Sequence, residues 1–153
     1  MLALLLAPAA QAAAPANVPE LVAWAKQHLS GIDDWPLLGF NALGLTLASP
    51  AGATLRPSGL VEGEIRQEYF EPLEFEGRIM RSMTARWSVD CPRQRYAILS
   101  MTLYARNNLR DRVEERTEAA PAWRARDALS GDVIDAMCDA VRNGERLDEP
   151  PSP

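Results

Sequence analysis

Residues 79–105 read IMRSMTARWSVDCPRQRYAILSMTLYA, and this stretch determines the fold class. In its first half the apolar side chains fall on odd-numbered positions, namely Ile79, Met83, Ala85, Trp87, Val89 and Cys91. A period of two predicts a strand with one buried and one exposed face. Residues 92–94 form a turn, and residues 96–105 are a second strand with the same period. The stretch is therefore predicted to be an antiparallel β-hairpin.

The alternation also predicts which residues of the second strand face the core. The odd positions Ala97, Leu99, Met101 and Leu103 are placed on the buried face, and the even positions from Tyr96 to Tyr104 on the other. Tyrosine, arginine and threonine together form an aromatic, hydrogen-bonding surface of the kind used for recognition. The candidate partner-binding face consists of Thr84, Arg86, Tyr96, Thr102 and Tyr104. An ordinary polar sheet face, or one covered by an N-terminal helix, is the alternative.

A helix is predicted near the C-terminus. Ile134, Met137, Cys138 and Val141 follow the i, i+3, i+4, i+7 spacing of an amphipathic helix, Ser130 is a good N-cap, and Asn143-Gly144 ends the pattern. A disulfide between Cys91 and Cys138 would place this helix over the face that carries Trp87, and it requires an oxidising compartment. Two buried free thiols are the alternative.

Weaker patterns complete the predicted architecture. A short helix is expected over residues 19–30, a loop before a short strand at residues 43–48, and a loop over residues 50–63. Residues 62–76 alternate like a strand, but Pro72 interrupts them, which predicts either two short strands or an edge strand. Residues 112–117 are predicted to be a polar strand. The fold class is α+β: an antiparallel sheet of about five or six strands, with the C-terminal helix tethered to one face by the disulfide and a short N-terminal helix.

The domain organisation follows from the two ends of the chain. Residues 1–12, MLALLLAPAAQA, are uncharged and apolar and end in small residues, which indicates a signal peptide. A flexible leader at residues 13–17, one antiparallel β domain at residues 18–144 and a disordered tail at residues 145–153 follow. The stretch at residues 1–12 is too short to span a membrane, and no later apolar segment is long enough. Together with the signal peptide, this predicts an exported protein that is periplasmic or extracellular.

Charge and motifs argue against several function classes. With 21 acidic and 16 basic residues, the net charge of −5 disfavours nucleic-acid binding. His28 is the only histidine, so the chain has too few histidine and cysteine ligands for a zinc site. We interpret His28 as a residue on the helix surface rather than a catalytic base. The glutamates within Glu62–Glu76 are read as a solvated strand face, with paired catalytic carboxylates or a calcium site as the alternatives. We expect no enzyme activity, no cofactor and no metal.

The second half of the chain resembles the surface-adhesin protein E-like domain. The residues that carry the resemblance keep a characteristic order: Val89-Asp90-Cys91 at a strand end, Tyr96 and Tyr104 in the next strand, then Trp123, Ser130 and Met137-Cys138. The resemblance implies a bent antiparallel sheet whose C-terminal helix is tethered by a disulfide. It also implies binding to host extracellular proteins, which is the activity of the family's pathogenic members.

Three functions are therefore considered. The first is an exported, non-catalytic binding domain whose ligand is a protein of the envelope or the extracellular space. The second is a periplasmic accessory protein of the envelope without a host ligand. The third and most remote is a carboxylate-based hydrolase. Protease treatment of intact cells separates the first two, because an adhesin is cleaved and a periplasmic protein is protected.

We predict that the mature protein begins near Ala13 and is found outside the cytoplasm. Ala10-Gln11-Ala12 supplies the pair of small residues that signal peptidase recognises. The measurement is the N-terminal sequence and intact mass of the protein purified from the cell that makes it. Cytoplasmic protein that retains Met1 would contradict the prediction.

Overall fold

The computed structural model describes residues 14–147 of the chain. The signal peptide predicted at residues 1–12 and the last six residues of the predicted tail lie outside this range. Two helices and seven strands lie within it: α1 Val18–His28, β1 Leu37–Phe40, β2 Gly44–Leu55, β3 Val61–Phe75, β4 Arg78–Asp90, β5 Arg95–Arg106, β6 Arg110–Thr117, β7 Arg124–Ala125 and α2 Gly131–Leu147. Among these residues, neither helix has the length and apolar character needed to cross a membrane.

All the strands belong to one antiparallel sheet. The order is β1-β2-β3-β4-β5-β6, so each strand pairs with its neighbours in sequence, and the short β7 pairs with the start of β5. The hairpin between β3 and β4 turns through Glu76 and Gly77, both with positive φ, which matches the right-handed twist of paired strands. The α+β class and the predicted sheet are confirmed.

Helix α2 packs on one face of the sheet, which we call the inner face. Val133, Ile134 and Met137 are at most 6% exposed, and α2 packs mainly on β1, β2 and β3, in one core cluster with inner-face residues such as Ile65 and Trp87. The predicted disulfide is present: Cys91 at the end of β4 is bonded to Cys138 of α2, with a Cα–Cα distance of 5.9 Å. The amphipathic pattern of α2 and the disulfide therefore both place this helix on the inner face of the sheet.

Helix α1 packs on the opposite face, which we call the outer face. Leu21 is buried against Leu45 and Leu47 of β2 and Phe70 of β3. Asn17, at the end of the predicted leader, is the N-cap of α1, and its side-chain oxygen accepts a hydrogen bond from the Glu20 backbone N–H at 3.0 Å. The sheet therefore lies between the two helices.

Two predicted loops and one predicted strand break are wrong. Strand β1 occupies part of the first loop, and β2 continues through Pro50 to Leu55. Strand β3 is a single interior strand of 15 residues although it contains Pro72. Both prolines lie where the register shifts, between Ala48 and Ala53 in β2 and between Glu68 and Leu73 in β3. At such bulges the ladder hydrogen bonds are already interrupted, so a missing N–H costs little.

Two boundaries also differ from the sequence pattern. Ile79, predicted to be buried, is 54% exposed because the irregular register between Glu68 and Leu73 places the neighbouring Met80 on the inner face instead, where Met80 is 2% exposed. Helix α2 continues past Asn143-Gly144 to Leu147, because an exposed glycine weakens a helix by only about 1 kcal/mol and does not stop it.

We predict that replacing Cys91 and Cys138 together by serine lowers the free energy of unfolding by about 2–4 kcal/mol. The two cysteines are 47 positions apart, and closing a loop of that length removes roughly 4 kcal/mol of chain entropy from the unfolded state. Urea denaturation under non-reducing conditions measures the difference, and the reduced wild-type protein is the matched control. Equal stability of the double variant and the oxidised wild type would contradict the prediction.

Candidate functional site

Four of the five residues predicted to bind a partner lie on the outer face. In the register of β4 with β5, Thr84 is directly opposite Thr102, and Ser82 is opposite Tyr104. Their strand neighbours Met83, Ala85 and Leu103 are core residues of the inner face, so the alternation along each strand points Thr84, Thr102 and Tyr104 outward. Arg86 follows Thr84 on the same face and is exposed. Whether these residues bind a partner stays a prediction.

Tyr96 does not belong to this group, and its predicted face is wrong. The register shifts between Arg86 and Trp87, so that Leu99 is an extra residue in β5. The bulge reverses the alternation, which places Tyr96 opposite Val89 and on the same side as Trp87. Tyr96 is 7% exposed, and its ring stacks on that of Trp87 with a centroid distance of 4.2 Å. It is a core residue.

Glu62 of β3 fixes the position of Arg86. Both Arg86 and Arg56 donate hydrogen bonds to the Glu62 carboxylate, Arg56 through its Nη2 at 2.7 Å. Desolvation alone would raise the pKa of Glu62, but the bonds from the two arginines outweigh it and lower the pKa below its usual value. A guanidinium held by a carboxylate loses less side-chain freedom when it meets a partner than a free one does.

Strand β6 completes the open part of the outer face. Its residues Glu115 and Thr117 lie opposite Thr102 and Ser100. Arg112, opposite Tyr104, forms an ion pair with Glu115 at 2.7 Å. The surface around Tyr104 therefore carries charges of both signs beside hydroxyl groups.

A buried ion pair on the outer face separates this open region from α1. Glu68 of β3 is fully buried, and Arg66 is 4% exposed. The Arg66 Nε donates to the Glu68 Oε1 at 2.7 Å, Asn107 Nδ2 donates to Oε2 at 2.9 Å, and the Asn108 backbone N–H donates to the carboxylate at 3.1 Å. The burial of Glu68 corrects the reading of the glutamate run as a solvated face. A buried carboxylate is tolerated because its oxygens are hydrogen-bonded and its charge is paired.

Asn108 connects this ion pair to α1. Its Nδ2 donates to the His28 carbonyl at 2.8 Å, and its Oδ1 accepts from the Ser30 N–H at 2.7 Å. Asn108 has φ of 64°, the left-handed conformation that asparagine adopts more readily than most residues. The end of α1 is thereby bonded to the β5–β6 turn, which fixes the edge of the open region.

Sequence reasoning did not find Glu68, Arg66 or Asn108. Asn107-Asn108 is a turn signal in the sequence, but nothing local indicates that this turn will bond a carboxylate some forty positions earlier. Glu62 was in the glutamate run without being distinguished from its neighbours. Among the residues that the structure describes, no group of three or more His, Cys, Asp and Glu side chains could hold a metal ion.

Comparison with known proteins identifies the fold. No protein-family model and no curated protein matches the sequence. The structure is similar to that of Haemophilus influenzae protein E in its crystal form II, with a TM-score of 0.52 and 11% sequence identity over 89% of this chain and 99% of that chain. At this identity the likeness shows the fold alone. The chain has a protein E-like fold, as the resemblance in sequence predicted.

We predict that Glu68→Ala lowers the free energy of unfolding by about 3–5 kcal/mol, because it leaves the Arg66 charge buried without its partner. Glu64→Ala is the matched control, since Glu64 lies on the same strand and is exposed, and it should change stability by less than about 0.5 kcal/mol. Urea denaturation of both variants is the measurement. Equal effects at the two positions would show that the Glu68 network does not stabilise the fold.

Proposed function

We propose that this chain is an exported, non-catalytic binding domain that recognises a protein partner through the open region of its outer face. That region consists of Thr84, Arg86, Thr102 and Tyr104 with the adjoining residues of β6. The partner would be a protein of the envelope or of the extracellular space.

The observation that carries the proposal is the division of the sheet between the two helices. Helix α2 is bonded to the inner face by the disulfide, and α1 covers the outer face over β2 and the middle of β3. Within residues 14–147, no helix covers the outer surface of β4, β5 and β6. Tyrosine and arginine are enriched among the residues that contribute most to protein–protein binding, because they combine contact area with hydrogen-bonding ends.

Three features support export. A disulfide persists in an oxidising compartment, outside the reducing cytosol. The uncharged apolar stretch at residues 1–12 has the composition of a signal peptide. The protein E-like fold is consistent with the same location. A periplasmic accessory protein would use the same surface, with a partner inside the envelope.

We expect Tyr104→Ala and Arg86→Ala each to weaken partner binding by at least about 1 kcal/mol with little change in stability, because both side chains lie on the open face. The partner is first isolated from an envelope extract and identified, and its affinity for each variant is then measured by titration calorimetry. Arg142→Ala is the matched control, since Arg142 is exposed on α2 and should leave the affinity unchanged.

Tyr96→Ala is the structural comparison for the same experiment. It should destabilise the domain by about 3–5 kcal/mol, because Tyr96 is stacked in the core. If Tyr104→Ala destabilises the domain as strongly, Tyr104 is also a core residue. Full affinity of both Tyr104→Ala and Arg86→Ala would place partner binding on another surface.

A further inference from the structure

The inner face contains a cavity that neither helix fills. It has a volume of about 320 Å³, and its exposed lining residues Arg124 and Leu129, which precede α2, mark where it opens. Its walls come from β3, β4 and β5 and are almost wholly apolar: Tyr69, Leu73, Phe75, Met80, Met83, Trp87, Tyr96, Ile98, Met101 and Leu103. Cavities that bind small molecules start at about this volume and have mainly apolar and aromatic walls.

Apart from Arg124, the side chains that line the cavity are uncharged. The Tyr69 hydroxyl donates a hydrogen bond to Gln67 Oε1 at 2.8 Å. Burial raises the pKa of Tyr69 to about 12, so its phenol is neutral at physiological pH. Met80, Met83 and Met101 are unbranched and flexible, which lets a wall adapt to a chain-like ligand. The interior therefore favours an uncharged, apolar group.

The mouth has a different chemistry. Arg124 of β7 lies there, opposite Tyr96 of β5, and is exposed. The two neighbouring arginines have carboxylate partners, Arg95 with Asp90 at 3.0 Å and Arg126 with Asp135 at 2.5 Å. Among the side chains that the structure describes, those of residues 14–144, none forms an ion pair with Arg124. An arginine at the entrance of an apolar cavity matches an anionic head group, which a guanidinium binds with two parallel hydrogen bonds.

We propose that this cavity binds a medium-chain fatty acid, with the aliphatic chain among the aromatic and methionine side chains and the carboxylate on Arg124. The proposal does not depend on the protein partner, because the cavity lies on the opposite face of the sheet. A larger cavity of about 610 Å³ between α2 and the β1–β2 edge is not assigned this ligand, since the charged residues lining it are Asp34 and Glu64.

The experiment titrates the oxidised protein with dodecanoate below its micelle concentration and follows tryptophan fluorescence, with dodecanol as the uncharged analogue. We expect saturable binding of one dodecanoate per chain. Arg124→Gln should weaken dodecanoate binding about tenfold, the lower end of what a hydrogen bond to a charged group contributes, and should leave dodecanol binding unchanged. Arg112→Gln is the matched control, since Arg112 lies on the other face, and it should change neither affinity.

Met101→Trp is the second variant, because it fills the cavity and should abolish binding of both ligands while α2 remains folded by circular dichroism. Absence of saturable binding to the wild-type protein would overturn the proposal. Equal dodecanoate affinity of wild type and Arg124→Gln would overturn it too, as would binding that survives Met101→Trp. Adsorption to anionic phospholipid vesicles without binding of monomeric dodecanoate would indicate a membrane surface instead, and would likewise overturn it.

Discussion

The disulfide between Cys91 and Cys138 is the constraint on which the arrangement of surfaces depends. It joins the end of a central strand to the middle of α2, and around it Val133, Ile134 and Met137 are buried against the inner face. A helix tethered in this way remains on one side of the sheet. On the other side, among residues 14–147, α1 packs over β2 and β3, and the side chains of Thr84, Arg86, Thr102 and Tyr104 are exposed or half-buried.

A second constraint acts on the outer face. Glu68 and Arg66 are buried there, and their bonds reach the β5–β6 turn and, through Asn108, the end of α1. Breaking a buried ion pair is costly because the remaining charge has no solvent to stabilise it. The network thus fixes how far α1 extends across the sheet, and with it the boundary of the surface that contains Tyr104.

Sequence periodicity predicts strands well only while their pairing is regular. The residues Met83 to Val89 alternate without interruption, and the buried face predicted for them is confirmed. A bulge adds one residue to a strand, and the sequence periodicity does not show it. The bulge at Leu99 turns Tyr96 to the inner face, whereas the periodicity predicts the outer face. The irregular register around Pro72 is equally invisible in the sequence, so this proline predicts a strand break that β3 does not have. The burial of Glu68 depends on residues distant in sequence, and composition alone favoured a solvated glutamate.

The two faces of the sheet differ in what they can bind. The inner face combines the core with an apolar cavity that has Arg124 at its mouth, whereas the outer face of β4–β6 presents hydroxyl groups, an aromatic ring and paired charges. The central claim is that protein recognition uses the outer face. Hydroxyl-radical footprinting of the native protein, alone and with its isolated partner, tests it directly. The expected result is that the partner protects Tyr104 from oxidation while Leu129, exposed just before the start of α2, is labelled equally in both samples. Protection of Leu129 with unchanged labelling of Tyr104 would contradict it.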